Sequence, residues 1–140
     1  MSEKSLAEKV VGKMMGGDWF SQWLGISVEE ISDGKCRLKM KVRKEMLNGF
    51  SIAHGGITYS IADSALAFAS NSHGRKAVSI ETSISHTVAL REGDIITAHA
   101  EEVSLKEKIA IYNIKVQKED GEVVALFKGT VYRTSRVWEV

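Results

Sequence analysis

The stretch "HGGITYSIADSALAFAS", residues 54–70, sets a histidine and two glycines before a long apolar run with one acid, Asp63, at its centre. Between His54 and His73 no other residue carries a formal charge. An ionised carboxylate in apolar surroundings loses solvation, at a cost of several kcal/mol unless it finds partners. Buried acids are rare, and functional sites hold more than their share of them. The plainer alternative is a structural acid that accepts hydrogen bonds from nearby backbone or from His54. Gly55 and Gly56 add a second feature. At the start of a helix the first N–H groups have no intrahelical acceptor and the dipole is positive. Without side chains, the two glycines let a ligand oxygen approach those amides, which is how an oxyanion hole is assembled.

Spacing constrains how these groups can cooperate. Gly55 and Asp63 are eight residues apart, about 12 Å along a helix axis. A carbonyl held at the helix start is out of reach of the carboxylate on the same helix. If both groups serve one reaction, the acid comes from a second copy of the helix, antiparallel across a two-fold axis. The sequence then implies an obligate homodimer with two sites at its interface.

The elements that must position these residues follow from periodicity. An N-terminal helix falls within residues 1–17, its apolar spacing covering 5–15 and its stop at Gly16 and Gly17. "DWFSQWLG" reads as a further helical turn whose aromatics, Trp19, Phe20 and Trp23, pack inward. Residues 26–32 form a strand, and Asp33-Gly34 a hairpin turn. In "KCRLKMKVR", Cys36, Leu38, Met40 and Val42 alternate with five cations, so one strand face is buried and the other is wet. Cys36 is thereby a small core residue. Nearly every side of the 55–71 helix is apolar, so protein must wrap it. A meander of long strands follows, with Val78, Ile80, Ile84 and Val88 sharing one face of the first of them. "REGD" and "EDGE" are turns. The expected class is α+β, one domain over residues 1–140, with a central helix against a curved antiparallel sheet.

Composition excludes several functions. A formal net charge of +1 gives no reason to expect nucleic acid or an anionic membrane as partner. No run approaches the roughly 18 apolar residues of a membrane span. One cysteine and no evident signal segment suit the cytoplasm. His54, His73, His86 and His99 lack close ligand spacing, so no metal site is expected. His86 and His99 fall on strands and read as hydrogen-bonded sheet residues.

"NGFSIAHGGITYSIADSALAFAS", flanked by "DWFSQWLGISVEE" and "ALREGDIITAHAEEV", resembles the hotdog-fold acyl-CoA thioesterases of the phenylacetate-degradation (PaaI) type. The resemblance covers nearly all of the chain after the first helix. It implies that Asp63 is the catalytic carboxylate, as base on water or as nucleophile, and that the Gly55 amide polarises the thioester carbonyl. It places Asn48 and His54 at the mouth of the site, with His54 fixing the helix start, and Ser79 where some members hold water. It implies a homodimer, usually paired into a tetramer, with no cofactor beyond the CoA of the substrate. Arg75, Lys76, Arg91, Arg133 and Arg136 are the candidates for the CoA phosphates. The family's turn often carries a proline before the "EGD" residues, whereas this chain has none, so a looser loop is expected. Two other readings remain open: a non-catalytic acyl-CoA-binding module, and a hotdog hydratase or dehydratase.

Overall fold

A computed structural model describes residues 3–140, so the first two positions of the expected N-terminal helical segment lie outside the described residues. Helix α1 spans Leu6–Gly17. Ser5 and Glu8 close its start reciprocally, each side chain accepting from the other's backbone N–H at 3.1 Å. Helix α2, Trp19–Leu24, follows at once and ends at Gly25 in the left-handed region, φ 77°. The rest of the chain gives β1 (Ser27–Ser32), β2 (Lys35–Lys41), α3 (Gly55–Asn71), β3 (Arg75–His86), β4 (Ile95–Leu105), β5 (Ile109–Lys118) and β6 (Val123–Val137). One six-stranded sheet runs in the order β1-β2-β4-β5-β6-β3, antiparallel throughout.

Helix α3 crosses the inner face of this sheet. Ile61, Ala62, Ala65, Leu66, Phe68 and Ala69 are fully buried against strand residues such as Leu38, Met40, Ile96, Ala98, Tyr112 and Ile114. The alternation read in β2 is present, with Cys36, Leu38, Met40 and Val42 all buried. Burial pushes the Cys36 thiol up to about 12, in keeping with an inert core residue. The helix packs closely on the sheet at Gly129. A Cβ there would lie 2.5 Å from Leu66 Cδ2, so any larger residue makes the Leu66 side chain shift.

Two expectations change. Trp19, Phe20 and Trp23 do not pack inward; they are 74%, 54% and 56% exposed. The buried stripe of α2 is Ser21 and Leu24, because Asp18 caps the helix and turns Ser21 toward α3. Phe20 stacks on Trp23, and Arg43 covers the Trp23 ring from 5.2 Å. In β3 the simple alternation fails, because the register with β6 shifts between Ser79 and Glu81. Ser79 pairs with buried Val131, whereas beyond the shift Thr82, Ile84 and His86 pair with Gly129, Phe127 and Ala125. The extra residue reverses the phase, leaving Val78 and Ile80 exposed while Ile84 is half-buried.

The proline-free turn is well tied. Arg91 N–H donates to Asp94 Oδ2 at 2.7 Å, Gly93 takes φ 91°, and Gly93 and Asp94 each bond Val42 across to the end of β2. Among the described residues no helix is long and apolar enough to cross a membrane. No group of three or more His, Cys, Asp and Glu among them is placed to hold a metal ion.

Candidate active site

The site is built at the start of α3. His54 is its N-cap, and His54 Nδ1 accepts from Gly56 N–H at 3.0 Å. Ile57 N–H turns back to His54 O at 2.9 Å. Gly55 N–H therefore stands alone, with no hydrogen-bond partner among the described residues. Both glycines are exposed, and the helix dipole is positive there.

The loop before the helix is organised by Asn48. Its Oδ1 accepts from Phe50 N–H at 2.8 Å and from Ile52 N–H at 3.4 Å, which fixes a tight turn through Ser51 at φ 60°. The Asn48 amide NH2 is left without a partner among the described residues, half-buried beside the helix start. Ala53 N–H donates to Leu90 O, which ties this loop to the segment carrying Arg91.

Asp63 lies two turns along α3, half-buried, with no hydrogen bond or ion pair to any described residue. Its carboxyl titrates above the ordinary carboxylate range, first because burial disfavours its charge and second because the Asp18 carboxylate is near. Asp18 is held in place by accepting from Ser21 N–H at 2.9 Å and Ser21 Oγ at 2.7 Å. Ser21 Oγ in turn meets Ser64 Oγ at 2.8 Å. Asp18, Ser21 and Ser64 were not singled out from the sequence. Only the packing of α2 on α3 brings them beside Asp63.

A second unforeseen neighbour is His86. The ring of this last residue of β3 covers Gly55, with Nε2 3.3 Å from where a Cβ on Gly55 would stand. It makes no hydrogen bond to a described residue, unlike His99, which bonds Thr97 Oγ1 at 3.0 Å as a sheet histidine. Ser79 is exposed on β3, on the same face as Thr82, and Thr82 Oγ1 bonds the Tyr59 hydroxyl of α3.

The basic candidates divide. The Arg75 guanidinium is engaged on the backbone carbonyls of Thr134, Glu107 and Arg133 and on the Glu107 carboxylate. Arg133 donates to Lys106 O at 2.8 Å. Both stitch strand ends together. Lys76 lies 4.9 Å from the centre of the Trp138 ring, and with Lys13, Arg136 and Trp138 it lines a cavity of about 470 Å³ near the far end of α3. Arg91 is exposed at the other end, near the helix start.

Gly55 and Asp63 are not brought together within one chain, since they share a single helix. The arrangement offers an open amide and an uncommitted carboxylate on one helix, about 12 Å apart along the axis.

Known proteins carry the same arrangement of elements. The sequence model of the thioesterase superfamily matches residues 50–125. A relative from Archaeoglobus fulgidus that carries the provisional name of esterase is 40% identical over 133 residues, 95% of this chain and 86% of that protein. The acyl-coenzyme A thioesterase PaaI of Escherichia coli is 33% identical over 120 residues, 86% of each chain. The structure of the Escherichia coli PaaI protein, from the phenylacetic acid degradation operon, superimposes with a TM-score of 0.93, covering 94% of this chain and 96% of that one at 31% identity. A Streptococcus pneumoniae protein named as a hypothetical thioesterase and solved with coenzyme A shares the fold at a TM-score of 0.78 and 23% identity, over 81% and 88% of the two chains. The chain has the hotdog fold and belongs to the thioesterase superfamily, whose members hydrolyse thioesters.

Proposed function

We propose that the protein hydrolyses acyl-CoA thioesters, with aryl-acyl or short to medium acyl groups, to the free acid and CoA. One observation carries this reading: the exposed Gly55 N–H at the start of α3 and the half-buried Asp63 carboxylate two turns along the same helix are both without a partner among the described residues. The relative solved with coenzyme A and the likeness to PaaI support CoA as the thiol. Gly55 of one protomer polarises the thioester carbonyl, and Asp63 of the partner subunit drives the attack. As base, the carboxylate takes a proton from water while the water oxygen bonds to carbon. The tetrahedral oxyanion then collapses, the C–S bond breaks, and the CoA thiolate leaves and is protonated. As nucleophile, the same carboxylate attacks the acyl carbon, the C–S bond breaks and the CoA thiolate leaves and is protonated, and water then opens the mixed anhydride to the free acid and the Asp63 carboxylate. Either route needs Asp63 ionised and uncommitted, and neither calls on a cofactor.

The partner is a second copy of this chain. β3 is a twelve-residue edge strand with Val78 and Ile80 exposed at 58% and 59%. Such an edge is an aggregation hazard unless something pairs with it. Pairing two β3 edges antiparallel sets two α3 helices side by side in opposite directions, as the composite site requires. The homodimer is paired again as a homotetramer. Asn48 NH2 and His54 serve the mouth of the site, and Ser79 positions water. With Arg75 and Arg133 engaged elsewhere, the CoA phosphates fall to Arg91, Lys76 and Arg136.

The deciding experiment is thiol release from phenylacetyl-, hydroxybenzoyl- and straight-chain acyl-CoAs by wild type and Asp63→Asn. Turnover that drops at least about a thousand-fold in the variant is expected, since the group driving the chemistry is gone. If CoA binds and no thioester turns over, the protein is an acyl-CoA-binding module instead.

A further inference from the structure

The start of α3 offers one open donor rather than two. Gly56 N–H is taken by His54 Nδ1, and Ile57 N–H by His54 O, which leaves Gly55 N–H. Oxyanion holes converge preorganised donors on one oxygen, and a side-chain N–H serves as well as a backbone one. A side chain of the right kind stands beside Gly55. α3 ends at Asn71 and β3 runs back along it, so the last residue of β3, His86, returns to the helix start. His86 pairs with buried Ala125, which turns its ring to the helix side of the sheet. Its Nε2 lies 3.3 Å from the position a Cβ added at Gly55 would take, with Cε1 at 3.6 Å.

The ring is held by its backbone and not by its nitrogens. Thr87 N–H donates to Val124 O at 2.9 Å, Thr87 Oγ1 to Val123 O at 3.2 Å, and Val88 N–H to Val124 O at 3.4 Å. This anchors the chain immediately after His86, while the imidazole is exposed and bonds to no described residue. We infer that His86 is a catalytic residue of this site: its Nε2–H and Gly55 N–H of the same protomer hold the carbonyl oxygen of the substrate between them, and the His86 bond strengthens as that oxygen becomes an oxyanion. The inference rests on the thioester reading for its substrate. It also gives the missing side chain at position 55 a second reason, because a Cβ there would press the ring off the carbonyl.

The test separates the donor from the ring. His86→Phe keeps a ring and removes the N–H; kcat is expected to fall about 100-fold with KM little changed, the loss that follows removal of one oxyanion donor. His86→Gln restores an N–H and recovers at least about ten-fold of that loss. A Phe variant as fast as wild type overturns the inference, and so does an equal loss in both variants, which would mark a packing role. A binding readout is independent of turnover. Imidazole nitrogens of uniformly 15N-labelled wild type are followed while two analogues of phenylacetyl-CoA are added: a ketone, with methylene in place of the thioester sulfur, and a thioether that lacks the oxygen. The His86 Nε2 resonance, assigned by its loss in His86→Phe, is expected to move with the ketone alone. No response, or an equal response to both, overturns the inference. If wild type hydrolyses no thioester, the hydrolase reading fails while the resonance still decides whether His86 touches the carbonyl.

Discussion

A carboxylate needed for its reactivity is a burden on the fold that carries it, and Asp63 shows both sides. Burial and the nearby Asp18 charge raise its folded-state pKa above the ordinary value of 3.8, so between those two values the folded protein holds more protons than the unfolded one. The sign follows: stability is fully present below about 3.8 and is lost as pH rises through the raised folded value. Asp63→Asn should therefore melt higher than wild type at pH 7, and the difference should close as the pH approaches 3.5 in a series of thermal melts. A variant that melts lower at pH 7 would mean Asp63 has a stabilising partner after all. The same pair predicts a kinetic shift. Asp18→Asn keeps an oxygen to accept from Ser21 N–H and removes the charge, so the acid limb of kcat/KM against pH should move to lower pH. An unmoved limb would show that Asp18 does not act on the titrating group. Asp63 was legible as the lone charge in an apolar run. Asp18 was not, because a contact between α2 and α3 leaves no mark on the spacing of either segment.

At the scale of elements, legibility followed regularity. β2 alternates without interruption and could be read residue by residue, and the apolar spacing of 5–15 marked α1, although the Ser5–Glu8 pair that closes its start went unread. β3 looked equally regular, but one residue inserted against β6 moves Val78 and Ile80 away from the face of Ile84. It also hid His86, whose strand position read as an ordinary sheet histidine. α2 was misread for a different reason: aromatic residues usually signal burial, but this helix is short and spends its inner face on Ser21 and Leu24. Gly129 was silent in the sequence and is where β6 passes close beneath Leu66 of α3. Gly129→Ala sets a methyl 2.5 to 3.1 Å from the Leu66 side chain and should cost about 1–3 kcal/mol, measured as a lower urea midpoint at unchanged slope. An unchanged midpoint would mean that α3 slides on the sheet more easily than this packing suggests.

For the molecule as a whole, the composite site makes a prediction that needs two defective proteins. Asp63→Asn protomers keep an intact Gly55, and Gly55→Val protomers keep an intact Asp63. Each alone should be inactive. Mixed and refolded together, they form some dimers with one site built wholly from native residues, and activity should reappear, up to about a quarter of the wild-type value if subunits pair at random and each dimer has two sites. Activity no higher in the mixture than in either parent would show that the two groups do not act across an interface. The turn at Arg91–Asp94 carries a last consequence, for the speed of assembly. Asp94 and Gly93 close that turn without proline, and the chain contains no proline at all. The prolyl isomerisation that holds many proteins back for tens of seconds is therefore absent from its refolding. Any slow phase after dilution from urea should belong to the meeting of protomers and should quicken as protein concentration is raised. A slow phase indifferent to concentration would place the delay inside the single chain.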